Sequence, residues 1–211
     1  MAQPAPAARV VLDGTVLSRP AVRDLLVGLT NYLLDPVWSP EQLRRAERKL
    51  GERFRIGGMS SAEAREEVAA FSALFPDQLV NTTATAVATA SKATALPNDA
   101  ACAESAVAAI VAGASTILTF RLPALRSRLL TLQNGSSVEY VEVDGFLVNL
   151  FQRLPSDDKS HVLTNLSAQA THAWSDRQPE AALQKLLGRL RSDGLVMFIQ
   201  RIRPELRSRS Q

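Results

Sequence analysis

The chain has 211 residues, of which 46% are apolar and 21% charged, so it is long enough to bury a sizeable core and its composition excludes disorder as the main state. Its single cysteine excludes an intramolecular disulfide and a cysteine-based zinc site. The formal net charge is only +3, yet residues 66–120 carry five acids and one lysine, so the basic excess lies in the segments on either side.

The beginning of the sequence lacks the charged and apolar regions of a secretory signal, so we expect a reducing, cytoplasmic environment. The longest uncharged stretch in the acidic middle, 105–120, has 16 residues and is dominated by small side chains. Because a membrane-spanning helix needs about 20 mainly apolar residues, we do not expect a membrane partner.

The first elements are predicted from apolar spacing and turn residues. Residues 1–8 form a Pro/Ala arm, and 10–17 has β-branched residues on both sides of an Asp-Gly pair, which indicates a small hairpin or an extended lead-in. Apolar residues at helical spacing after Pro20 predict a helix over 20–34 that Pro36 ends.

Two capping boxes predict the next two helices. Ser39-Pro40-Glu41-Gln42 begins a helix over 39–54, and Ser60 with Glu63 begins another after the pair Gly57-Gly58. A helix N-terminus behind a glycine pair can hold a phosphate, but an ordinary helix end followed by an ordinary cap has the same sequence pattern.

Residues 78–96 and 99–120 consist almost wholly of small side chains. Alanine favours helix, so we predict two helices separated by Pro97-Asn98-Asp99. Small side chains let backbones approach closely, and we therefore expect tight packing in a core or in a contact between subunits, giving a homo-oligomer.

The last third combines one extended segment with several helices. We predict a short helix over 123–132, a strand over 138–143 and, after Asp144-Gly145, either a hairpin or a helix, of which five apolar positions at helical spacing favour the helix. Further helices are predicted over 156–174 and from Pro179, whereas 195–199 fits a strand or a helix. The similar segments 10–17 and 141–148 are candidates for a small two-stranded element.

These elements predict an all-α, multi-helix single domain with at most a minor two-stranded element. We divide it into an N-terminal arm (1–19), a helical domain (20–194) and a basic C-terminal segment (195–211).

The sequence offers little for catalysis. Phosphate-loop, dinucleotide-binding and nucleophile-elbow motifs are absent from the sequence. His161 and His172 are eleven residues apart on one predicted helix, roughly 16 Å, which is too far for one metal ion. Cys102 has no base at a recognisable spacing, so a buried, inert thiol is expected. We therefore predict a protein without catalytic residues, metal or cofactor.

Arginine clusters are the most informative chemical feature, since 20 of the 24 basic residues are arginine and its planar donor fork suits phosphate. One cluster lies on and after the helix at 39–54, where Glu41–Arg45 and Arg48–Glu52 are expected ion pairs. The other lies in the C-terminal fifth. The candidate nucleic-acid-binding residues are Arg44, Arg45, Arg48, Lys49, Arg53, Arg55, Arg189, Arg191, Arg201, Arg203, Arg207 and Arg209.

These observations predict a non-enzymatic helical assembly protein that self-associates and binds an RNA or DNA backbone by charge neutralisation, as a coat, a nucleocapsid-like protein or the small subunit of a complex would. The alternative is a helical adaptor that binds a protein partner through an apolar face, with its arginines contacting acidic side chains.

Overall fold

A computed structural model describes residues 7–30, 32–54, 59–122, 128–175 and 177–209, and it shows an α/β protein instead of the predicted all-α domain. The elements are β1 (Ala8–Leu12), α1 (Gly14–Leu17), α2 (Pro20–Val27), β2 (Leu34–Val37), α3 (Pro40–Phe54), α4 (Ser61–Leu74), a 3₁₀ turn (Pro76–Gln78), α5 (Ala84–Ala93), α6 (Ala100–Ala112), β3 (Thr116–Thr119), β4 (Leu129–Thr131), β5 (Ser137–Glu142), α7 (Val143–Arg153), α8 (Ser156–Ala173), α9 (Pro179–Ser192) and α10 (Val196–Arg209).

The five strands form one sheet in the order β2-β1-β3-β5-β4. β1 pairs in parallel with β2 and β3, and β3 pairs in parallel with β5, whereas β4 is antiparallel to β5 at the edge. β3 therefore lies between β1 and β5, whose last residues belong to the two similar segments 10–17 and 141–148, and these segments do not form the predicted two-stranded element.

The all-α prediction was wrong because the central strands are buried on both faces of the sheet. Val10 and Leu12 join the apolar core on one face, and Val11 joins the core on the other. Ile117 and Leu118 in β3 are divided between the two faces in the same way. Such strands are continuous apolar runs without alternation, so periodicity does not distinguish them from buried helix.

Several predicted boundaries were wrong for local reasons. Asp13 does not form a hairpin turn, because its side chain accepts hydrogen bonds from the first backbone N–H groups of α1. The helix predicted over 20–34 ends at Val27, and Pro36 lies within edge strand β2. The helix predicted over 99–120 ends where Gly113 adopts φ 67°, a left-handed conformation that favours glycine. Of the helix predicted over 123–132, residues 123–127 lie outside the described residues and Leu129–Thr131 is β4.

Other predictions are confirmed. Ser39 and Gln42 form reciprocal capping bonds at the start of α3, and Ser60 with Glu63 does the same at α4. The ambiguous segment after Asp144 is helix α7, helices α8 and α9 begin where they were predicted, and the segment at 195–199 enters helix α10.

The small side chains of α6 pack against the sheet of the same chain. Ala106, Ala108 and Ala109 are fully buried and belong to the apolar core that includes Val11 and Ile117. The alanines thus allow close approach of a helix to strands β1 and β3. α5 packs beside α6 and exposes most of its length to solvent.

Asp144 connects helices α7 and α10, because its buried carboxylate caps α10. Oδ2 accepts a hydrogen bond from Met197 N and Oδ1 accepts one from Phe198 N, both at 2.8 Å. We expect Asp144→Ala to lower the free energy of unfolding by about 2 to 3 kcal/mol, since a buried and a part-buried N–H group lose their acceptor. Urea unfolding measures the change. Asp157→Ala, at an exposed acid in α8, is the control and should cost at most about 0.5 kcal/mol.

Candidate functional site

A crevice lies where the connections of the sheet change direction. β1 and β3 are neighbours in the sheet, but the strand that follows β1 in the chain lies on the far side of β1, and the strands that follow β3 lie on the far side of β3. In open α/β sheets, ligands bind outside the carboxyl ends of the strands at such a point. Asp13 directly follows β1, and Thr119 is the last residue of β3.

Hydroxyl and backbone N–H groups surround the Asp13 carboxylate at the floor of this crevice. Oδ1 accepts hydrogen bonds from Thr15 N at 2.8 Å, Thr15 Oγ1 at 2.5 Å and Val16 N at 3.2 Å, while Oδ2 accepts one from Thr119 Oγ1 at 2.6 Å. Burial raises the pKa of Asp13 above its ordinary value of 3.8, and the hydrogen bonds from Thr119 and Thr15 oppose that effect.

The raised pKa of Asp13 predicts a pH dependence of stability. Since the folded state binds this proton more tightly than the unfolded chain, the contribution of Asp13 to stability is present below pH 3.8 and is lost as the pH rises through the raised pKa. Asn also caps helices well, so we expect Asp13→Asn to retain the fold and to gain stability relative to the wild type as the pH rises through this window. Urea unfolding of both proteins across this range measures the difference. A wild-type advantage that grows with pH would show instead that hydrogen bonding outweighs burial.

Two neighbouring recesses form the crevice. The first has a volume of about 200 Å³ and includes Asp13, Cys102 and Ser105 in its lining. The second has a volume of about 420 Å³ and includes Ser18 and Phe120. Both are lined by Thr15, Lys49, Glu52 and Arg121, so the recesses adjoin each other.

Cations from separate parts of the chain line the crevice. α3 supplies Arg45 and Arg48 to the first recess, Arg53 to the second and Lys49 to both. Arg121, which follows β3, lines both recesses, and Arg19, which precedes α2, lines the second. Arg48 and Lys49 form no ion pair with any residue that the structure describes.

Asp99 and Glu104, in and beside the crevice, are engaged within the protein, whereas Glu52, which lines both recesses, forms no ion pair with any described residue. Glu104 accepts from Arg45 Nε at 2.7 Å, and a carboxylate oxygen of Asp99 lies 3.6 Å from Arg121. Asp99 also caps α6, and its hydrogen bond from Cys102 N holds the pKa of Asp99 below its ordinary value. Burial, then the neighbouring Asp99, raises the pKa of Cys102 to about 11, so this half-buried thiol is protonated at neutral pH.

The structure divides the residues predicted to bind nucleic acid. It brings together Arg45, Arg48, Lys49 and Arg53 at the crevice. Arg44 is exposed and forms an ion pair with Glu41. The expected Glu41–Arg45 pair is not formed, because Arg45 pairs with Glu104 of α6. The expected Arg48–Glu52 pair is also not formed. Arg55 lies outside the described residues.

The C-terminal arginines do not join the crevice as a group. Arg189 lies 3.6 Å from Asp193, and Arg201 lies 3.8 Å from Glu205. Arg203 and Arg207 line a separate groove between α9 and α10. The remaining members are Arg191, which is exposed at the end of α9, and Arg209, the last residue of α10.

Sequence reasoning missed Arg19, Arg121 and Asp13 as members of one site. The available signal was two short apolar runs that each end in a polar residue, at Asp13 and at Thr119. Recognising both runs as parallel strands would have placed their ends side by side.

At the phosphate site considered near Ser60, the structure shows a capping box in which the hydroxyl of Ser60 accepts from Glu63 N and the Glu63 carboxylate accepts from Ser60 N. The preceding pair Gly57-Gly58 lies outside the described residues. Over the described ranges, His, Cys, Asp and Glu side chains form no group of three or more that would suit a metal ion. None of the helices in the described part of the chain has the length and apolarity needed to cross a membrane.

Comparison with known proteins identifies no relative: no protein-family model, curated protein or solved structure matches the chain. The fold and the crevice are therefore the observations on which a function is argued.

Proposed function

We propose that this protein binds the phosphate backbone of RNA or DNA in the crevice, without catalysing a reaction. The observation that carries the proposal is the convergence of cations from α3, from the segment before α2 and from the end of β3 on one concave surface, in a chain whose net charge is only +3. Cations concentrated in a cleft attract a polyanion more strongly than the net charge suggests.

The spacing of the cations favours a ligand with repeated negative charge. Arg45, Lys49 and Arg53 follow one another at intervals of four residues, so they lie on one side of α3 with roughly 6 Å of rise between them. A nucleic-acid strand offers phosphates at regular intervals, whereas a small anion would use one such position. Neutralising several phosphates releases counterions and makes binding depend steeply on salt.

The lining also favours binding without base recognition. Phe120 is the one aromatic residue among the described residues that line the two recesses. The Arg19 guanidinium lies over its ring at 3.5 Å from the centroid, so this face is not open to a stacked base. Affinity is therefore expected to vary little with base sequence.

Three of the acids in and beside the crevice are engaged within the protein, which supports a binding role over catalysis, and Glu52 is the acid of the lining that forms no ion pair with a described residue. Both oxygens of Asp13 accept hydrogen bonds from the protein, Asp99 caps a helix and pairs with Arg121, and Glu104 pairs with Arg45. General acid–base or metal-assisted hydrolysis needs carboxylates placed to act on substrate or metal.

Fluorescence anisotropy with labelled homopolymeric RNA and DNA, measured over a range of salt concentrations, tests the proposal. We expect binding that weakens linearly on a log–log plot, that differs little between base sequences and that leaves the strand uncut. The absence of binding at low salt would contradict the proposal, and so would cleavage of the strand.

Self-association is the second part of the proposed function. Because α6 is buried in its own chain, the exposed surface of α5 is the small-residue surface through which copies would meet. Size-exclusion chromatography with light scattering, with absorbance read at 260 and 280 nm, tests this part. We expect a mass above that of one chain, and a monomer at all concentrations would contradict it.

The groove between α9 and α10 favours the adaptor as the second candidate. Its volume is about 580 Å³, and its lining combines Leu183, Leu187 and Leu206 with Arg203 and Arg207. A protein segment with apolar and acidic side chains would complement these residues. A homogeneous monomer or dimer that does not bind nucleic acid would favour the adaptor function over nucleic-acid binding.

A further inference from the structure

A buried carboxylate lies behind the second recess. Asp193 directly follows α9, and only 1% of its surface is exposed. An isolated buried charge is costly, so a carboxylate is retained at such a position only where cations and donors surround it.

Asp193 contacts two of the arginines that line the crevice. Its Oδ1 accepts a hydrogen bond from Arg53 Nη2, and its backbone carbonyl accepts one from Arg19 Nη1 at 2.5 Å. Its other carboxylate oxygen lies 3.6 Å from Arg189 Nε. Asp193, at the end of α9, therefore binds both Arg19, which precedes α2, and Arg53, which lies in the last turn of α3.

The adjoining residue, Gly194, makes this arrangement possible. It adopts φ 105°, and a Cβ atom there would lie 3.0 Å from the Phe120 ring and 3.1 Å from Arg19 Nη1. A side chain would thus displace the Arg19 guanidinium from the ring that it covers.

Arg19 and Arg53 repel each other, and the acid between them offsets that repulsion. Burial, then the positive charge of Arg53, lowers the pKa of Arg19, while Asp193 acts in the opposite direction. The Arg53 side chain is 32% accessible, so its hydrogen bond to the buried Asp193 carboxylate restrains a side chain that solvent reaches.

We propose that Asp193 is a positioning residue of the crevice, whose buried carboxylate holds Arg53 beside Arg19 so that the pair presents N–H groups to one phosphate of the bound strand. This inference rests on the proposed nucleic-acid binding. Asp193 itself does not touch the ligand, because it is buried behind the arginines.

The sign of the effect of Asp193→Asn distinguishes positioning from simple charge. Removing a negative charge from a cationic crevice would by itself strengthen binding of a polyanion. Loss of positioning is expected instead to weaken anisotropy-measured binding of a labelled homopolymer by about fivefold. Asp144→Asn, at a buried carboxylate that caps α10 and lines neither recess, is the matched control and should leave the affinity unchanged.

A double-mutant cycle tests whether Asp193 acts through Arg53. We expect Arg53→Gln to weaken binding and Asp193→Asn to add nothing further in that background. A wild-type or higher affinity of Asp193→Asn, or an equal loss in both backgrounds, would overturn the inference. If Asp193→Asn does not fold, Arg53→Lys provides the test: positioning predicts a loss close to that of Arg53→Gln, whereas wild-type affinity would contradict it.

Different results would contradict nucleic-acid binding in the crevice and the positioning role of Asp193. If Arg48→Gln with Lys49→Gln leaves binding unchanged, nucleic-acid binding in the crevice is itself wrong. If that double variant loses affinity while Asp193→Asn and Arg53→Lys do not, only the positioning role is wrong.

Discussion

Replacing Arg48 and Lys49 together by glutamine is expected to weaken binding of a nucleic-acid strand by at least about tenfold at moderate salt. Both side chains line the first recess, and neither has an ion-pair partner among the described residues. Their charges are therefore available to phosphates. Neither residue packs in the apolar core, so the fold should be retained.

The salt dependence gives this prediction a second, independent readout. Losing two phosphate contacts should reduce the slope of log K against log salt by about 1.4 for a single strand and about 1.8 for duplex DNA. Anisotropy titrations at four or more salt concentrations measure the slope. A weaker affinity with an unchanged slope would place the two residues outside the phosphate contacts.

Arg203→Gln with Arg207→Gln is the matched control, because it removes the same charge from the groove between α9 and α10. We expect this variant to change affinity by less than about threefold, through the long-range field alone. If the control loses as much as the crevice variant, binding follows overall charge or the C-terminal helix, and the assignment to the crevice is wrong.

Replacing Gly14 by alanine is expected to lower the free energy of unfolding by about 2 to 3 kcal/mol. A Cβ atom at this position would lie 2.6 Å from Arg45 Cβ and 3.1 Å from Gln42 O. Both atoms are close to or part of the backbone of α3, so no flexible side chain can move aside. The close approach of α1 and α3 therefore depends on the missing side chain, and urea unfolding measures its loss.

Gly188→Ala is the control for the Gly14 variant. Gly188 lies in α9 with open space where its Cβ atom would be, so alanine there should stabilise the protein by about 0.5 to 1 kcal/mol. Equal stability of the two variants would show that α1 and α3 separate without cost.

The Gly14 variant should also bind nucleic acid more weakly, because Gly14 lines the first recess and its new side chain would displace Arg45.

Part of the candidate site was evident in the sequence. The Ser39–Gln42 capping box fixes the beginning of α3, and the spacing of its leucines and arginines then assigns which side chains face the core. Arg45, Arg48, Lys49 and Arg53 were therefore recognised as candidates from one helix. Arg19, Arg121 and Asp193 were not, because they reach the crevice only through contacts between elements far apart in the chain.

The C-terminal arginines show how the structure distributes a charged segment of the sequence. Six arginines against two acids in 186–211 predicted one positive patch. In the structure the buried Asp193 binds Arg53 and lies beside Arg189, Glu205 lies beside Arg201, and α10 carries Arg203 and Arg207 to another face. Arginines that are close in the sequence form one positive surface only if their helices place them on the same side of the protein and no acidic side chain pairs with them.

Local interactions allowed the sequence by itself to determine the capped helices α3 and α4, the beginnings of helices α8 and α9, and the charge pattern of α3. It also predicted the strand over 138–143, and after Asp144 it favoured the helix over a hairpin. Tertiary structure alone decided that 8–12 and 116–119 are neighbouring parallel strands, since their pairing partners are more than 100 residues apart. The same pairing places Asp13 beside Thr119 and so creates the crevice. Parallel pairing requires long-range contacts and burial on both faces, neither of which leaves a periodic signal in the strands themselves.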